Sequence, residues 1–80
     1  MGFIQNLSKF TAEEQAVICW QFKYDGGFFT ALWEAISMAD EQNLDRLAEG
    51  FPTEVAGYRK YTRESGWWSS VEKRWREMPE

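Results

Sequence analysis

Histidine is missing from this 80-residue chain, and cysteine occurs once, at Cys19. A single thiol cannot close a disulfide within the chain, and without histidine the ordinary Cys/His zinc arrangements are excluded. Nucleophile–base pairs are normally completed by histidine, so that route to catalysis is closed as well. Cys19 falls in an apolar helical stretch, where a thiol is usually inert packing. No Gly-rich phosphate loop is present, because Asp25-Gly26-Gly27 has neither a strand before it nor a lysine after it. These gaps lead to the expectation of a non-enzyme without cofactor or metal. Long apolar runs are also lacking: nowhere do eighteen consecutive apolar residues occur. The opening MGFIQNLSKF has no basic segment or apolar core of a secretory signal, and Asn6 breaks the myristoylation pattern that Gly2 would otherwise begin. The expected setting is reducing and cytoplasmic, off the membrane.

Aromatic residues, by contrast, are plentiful: six Phe, five Trp and three Tyr. A chain of this length forms one domain, residues 1–80, and buries only about 60–65% of its unfolded surface, so few large rings can be spared from the core. The formal charge of −4 is unevenly spread. Residues 1–54 hold three Lys/Arg against nine Asp/Glu, and residues 55–80 hold six against four. The acidic majority argues against broad nucleic-acid binding, while the basic end keeps a local version of it open.

Hydrophobic periodicity predicts an all-α fold, a compact bundle of four main short helices with a further N-terminal helix or arm carrying Phe3, Ile4 and Leu7. Thr11-Ala-Glu-Glu14 reads as a capping box opening a helix through Val17, Ile18, Trp20 and Phe22 to about Tyr24, stopped by Asp25-Gly26-Gly27. Phe28, Ala31, Leu32, Ala35, Ile36 and Ala39 repeat as the buried face of the next helix, with Phe29 and Trp33 beside it, toward the first. Asp40 is placed to cap a helix over about 41–49 that Gly50 closes in the left-handed conformation. Pro52 suits the first turn of a helix over about 53–64, in which Val55, Tyr58 and Tyr61 or Thr62 face inward and Gly57 marks a close approach. Ser65-Gly66 breaks the chain before a last helix ending at Pro79, on which Trp67, Trp68, Val71, Trp75 and Met78 form an apolar stripe opposite Lys73, Arg74 and Arg76. Val17, Trp20, Leu32, Ile36, Leu44, Leu47, Val55 and Tyr58 are expected to share one core.

Two clusters are candidates for binding. Trp67 and Trp68, beside Arg63, Arg74 and Arg76, have the composition of a stacking platform for single-stranded nucleic acid or of an aromatic/arginine hot spot for a protein. Adjacent tryptophans on a helix point roughly 100° apart, so both reach the core only where other elements wrap the helix start. Asp40, Glu41 and Asp45, with Asp25, Glu34 and Glu49, form an acidic face able to meet a basic groove, and Asp40, Glu41, Asp45 and Glu49 offer oxygen ligands along one helix. The plainer reading of that face is a helix cap and solubility.

The strings Phe28-Phe29-Thr30-Ala31-Leu32-Trp33, Ala39-Asp40, Gly50-Phe51-Pro52, Glu54-Val55 and Gly66-Trp67-Trp68 together resemble, over about residues 24–68, short uncharacterised proteins encoded by bacteriophages and other bacterial mobile elements. The resemblance implies a setting, the cytoplasm of an infected bacterium, and no residue-specific activity. Small acidic proteins of that kind often inhibit host defence or modulate host enzymes. The leading expectation is therefore an accessory protein that binds a bacterial host protein, such as a defence complex, and blocks or redirects it. A nucleic-acid-binding regulator and a self-associating structural protein are the alternatives. The composition leaves open the partner, the oligomeric state and whether Trp67, Trp68 and Trp75 face inward or outward.

Overall fold

A computed structural model describes residues 7–78. The chain is all-α, and no strand occurs among the described residues. Five helices follow one another: α1 (Ala12–Gln21), α2 (Gly27–Met38), α3 (Glu41–Gly50), α4 (Pro52–Arg63) and α5 (Trp67–Glu77). The first four are the main helices expected, and α5 is the last helix that the C-terminal tryptophan stripe predicts. The expected N-terminal helix or arm lies mostly outside the described residues; Leu7, at their edge, packs with Phe10, Ile18 and Val71.

Local chemistry sets most of the boundaries. The Thr11 hydroxyl accepts from the Glu14 N–H (3.2 Å), and Glu14 Oε1 accepts from the Thr11 N–H (2.9 Å), which completes the capping box. Helix α1 ends at Gln21, earlier than the Asp-Gly-Gly signal predicts. Lys23 adopts a left-handed conformation (φ 63°), so its N–H reaches the Trp20 carbonyl (3.3 Å) and the Tyr24 N–H reaches the Cys19 carbonyl (2.9 Å). These two bonds satisfy carbonyls of the last turn in the pattern usually built on glycine. Gly26 instead starts α2 as its N-cap. Asp40 Oδ1 accepts from the Asn43 N–H (2.9 Å) at the start of α3. Gly50 is not the left-handed closer expected of it but the last helical residue; Phe51 turns the corner, ending α3 and preceding Pro52 at the start of α4. Gly66 (φ 80°) makes the left-handed turn into α5.

Helix α1 lies between two apolar clusters. Val17 joins Leu32, Trp33, Ile36, Leu44 and Val55 on one side. Ile18, the next residue and so roughly 100° around the helix, joins Phe10 and Val71 on the other. Of the expected core, Val17, Leu32, Ile36, Leu44 and Val55 are buried, whereas Trp20, Leu47 and Tyr58 are half-buried at its margin. The buried glycine Gly57 lets α4 approach α1 closely.

The main departure concerns which side of α2 faces inward. Leu32, Ile36 and Trp33 are buried, but Phe28, Ala31 and Ala35 of the expected stripe are exposed and Ala39 is half-buried. Trp33, 2% exposed, stacks on Trp20 with ring centroids 4.5 Å apart and planes within 4°. Its Nε1–H donates to Asp25 Oδ2 (3.1 Å). Burying this indole removes more apolar surface than burying two alanines, so the helix settles rotated toward Trp33.

Candidate interaction surface

The aromatic and basic residues of the C-terminal region come together, but inside the fold's own network. Trp67 and Trp68 are both half-buried and each touches both apolar clusters, since α5 enters the bundle at the seam between them. Trp68 lies against Tyr61 (5.9 Å) and Phe22 (6.3 Å). Trp75, also half-buried, meets Phe10 edge-on at 5.9 Å. Arg74 donates to Glu14 Oε2 (2.6 Å) and lies over the Phe10 ring (4.9 Å), joining α5 to the start of α1. Arg76 pairs with Glu72 one turn earlier (2.9 Å) and lies over Phe22 (5.1 Å). Arg63 pairs with Glu41.

The acidic candidates are engaged as well. Glu41 and Asp45 flank Arg59, accepting from its Nη2 at 2.7 and 2.8 Å, so that α3 is tied to α4. The hydrogen bond to Asp45, with the charge of Glu41, pushes the guanidinium still further above its ordinary value. Asp40 is occupied in capping α3. Among the described residues no group of three or more Cys, Asp or Glu converges in a way that fits a metal ion. Cys19 is half-buried beside Asp25, and its thiol is pushed above its ordinary value, first by burial and then by the Asp25 charge. Both effects disfavour the thiolate that nucleophilic chemistry needs.

What the fold leaves uncovered is the outer face of α2. Phe28 is 64% exposed and Met38 84%, with Ala31 and Ala35 exposed between them. Phe28 lies edge-on to Phe29 (5.2 Å) and near Phe51 (5.9 Å), which holds this end of the stripe in place. Toward the other end, Ala35, Met38, Ala39, Asn43, Arg46 and Leu47 line a shallow groove between α2 and α3 of about 460 Å³. Arg46 is the one arginine that forms no ion pair among the described residues. The largest exposed apolar patch of a small monomer is often functional, and this face is a candidate for contact.

Sequence reasoning passed over this face because it assigned Phe28, Ala31 and Ala35 to the core. A signal was present: the apolar positions of α2 cover more than half of its circumference, wider than one packed face requires. No helix among the described residues is long and apolar enough to cross a membrane. No protein-family model, curated protein or solved structure matches this chain.

Proposed function

We propose that this chain is an accessory protein that binds a bacterial host protein, using the outer face of α2 as its contact surface, and inhibits or redirects that protein by occupancy. The observation that carries the reading is the exposed apolar stripe from Phe28 to Met38 on a chain otherwise short of surface to bury. Side chains this exposed add little to the stability of a free monomer, and they can supply the desolvated centre that protein interfaces depend on. The phage or mobile-element setting is taken from the sequence resemblance, and interference with a host defence complex is one form the occupancy takes in that setting.

Electrostatics favours a protein over a nucleic acid as the partner. Four of the five arginines are committed to carboxylates of the same chain, and the overall charge of −4 repels phosphate. The α2 stripe itself presents no lysine or arginine. A tagged pull-down from bacterial lysate, divided into nuclease-treated and untreated halves, tests the proposal. A protein recovered equally from both halves supports it, and recovery that vanishes with nuclease replaces it with the nucleic-acid reading.

A further inference from the structure

We infer that the outer face of α2 also pairs with a second copy of the same chain, as a weak two-fold dimer with the two α2 helices antiparallel. This inference rests on the reading of that face as the contact surface and goes beyond it by naming an occupant. The exposed stripe consists of Phe28, Ala31, Ala35 and Met38, at intervals of three, four and three residues. That spacing is the same from either end, with its midpoint at residue 33. Reversing one copy against the other therefore sets Phe28 opposite Met38 at both ends and Ala31 opposite Ala35 in both inner layers. A two-fold interface must be self-complementary in this way.

The sizes suit the geometry too. Two helices crossing at a shallow angle are closest at the crossing point and diverge toward their ends. Alanines at the centre permit the close approach, and the bulky Phe28 and Met38 fill the widening space, with the thioether against the ring. Antiparallel helix dipoles oppose one another, which favours this orientation over the parallel one.

The available area sets the strength. From the exposures of Phe28 and Met38 together with the two alanines, each copy offers apolar surface on the order of 350 Å². Two copies then bury roughly 700 Å², the scale of a weak, transient contact. So small an area makes the pairing weak and readily displaced by a better-fitting partner.

One charge marks the orientation. Glu34 lies on the flank of the stripe, one residue from its midpoint, so in the antiparallel pair it comes opposite its own copy. Like charges placed so weaken the dimer. A parallel pair would set Glu34 beside the α3 side of the other copy instead.

Sedimentation equilibrium on the purified chain, from about 1 to about 500 μM, reads both points. The expected result is a monomer–dimer equilibrium that Ala35→Glu weakens by about 100-fold, by placing a carboxylate in the central layer. Glu34→Gln tightens it by about 3-fold. Circular dichroism of both variants should match the wild-type chain, since both positions are exposed. A wild-type chain that stays monomeric at the highest concentration, or a dimer indifferent to Ala35→Glu, overturns the pairing; a dimer indifferent to Glu34→Gln overturns its antiparallel orientation. These measurements need no host component. A monomeric result leaves the host-protein reading standing, and an unsuccessful pull-down leaves this dimer standing.

Discussion

Gly57 on α4 lies so close to Val17 on α1 that a methyl group at position 57 would sit 2.9 Å from Val17 Cγ2 and 3.1 Å from the Glu13 carbonyl oxygen. Both residues are buried, and neither helix has room to withdraw without opening the core that Val17 and Val55 share. Glycine inside a helix costs about 1 kcal/mol relative to alanine, so an open site would gain stability from the change. Here the overlap outweighs the gain. Gly57→Ala is expected to destabilise the fold by about 1–2 kcal/mol net, read as a lower urea midpoint with an unchanged slope. In the background of Val17→Ala, which removes the clashing methyl, the same change should cost measurably less.

The Trp33 indole offers a second test. Its stack on Trp20 and its bond to Asp25 act together, one fixing the ring plane and the other the direction of the N–H. Trp33→Phe removes the donor and part of the ring, for a loss of about 2–3 kcal/mol. Asp25→Ala removes only the acceptor. Denaturation of the two variants and their combination should show the pair to be coupled by about 1 kcal/mol, while strict additivity would mean that the bond contributes nothing.

Lys23 carries local strain, since a left-handed backbone costs a residue with a side chain roughly 1–2 kcal/mol. Glycine adopts that conformation freely but gives back part of the gain through the entropy of the unfolded chain. Lys23→Gly should therefore stabilise the protein by about 0.5–1 kcal/mol, visible as a rise in thermal midpoint.

Cys19 predicts a pH dependence of definite sign. Burial and Asp25 raise the folded-state value above the ordinary 9.0. The stabilisation tied to the protonated thiol is fully present below about pH 9, where neither state ionises. Above it the unfolded chain loses its proton first, so stability falls as pH rises toward the folded value. Alkylation of the native protein should accordingly show a midpoint above that of a free thiol, and slow reaction at pH 8. Rapid labelling at pH 8 would contradict the burial described.

Much of this fold was legible in the sequence because it is written locally. The capping box at Thr11 and Glu14, the Asp40 cap, the break at Gly66 and the close approach at Gly57 each depend on residues whose chemistry permits few alternatives. The end of α1 was not legible, since nothing in a lysine announces a left-handed turn. Nor was the rotation of α2: periodicity identifies apolar stripes, but on a helix apolar over most of its surface only the partner decides which stripe is buried, and here the partner is Trp20. The basic candidates illustrate the same limit. Arg74 and Glu14 are 60 positions apart, and no spacing rule connects them, yet their contact commits a cation that composition alone offers to a ligand.

The outer face of α2 should be dispensable to folding and essential to association. Met38→Gln and Ala35→Glu replace exposed groups, so each is expected to change stability by no more than about 0.5 kcal/mol. A pull-down from nuclease-treated bacterial lysate, run in parallel with the wild-type chain and the folded Ala35→Glu variant, shows whether this face holds the partner. A protein partner should be retained by the wild-type chain and lost by the variant. Equal recovery of that partner by both, or a partner that only untreated lysate yields, would contradict it.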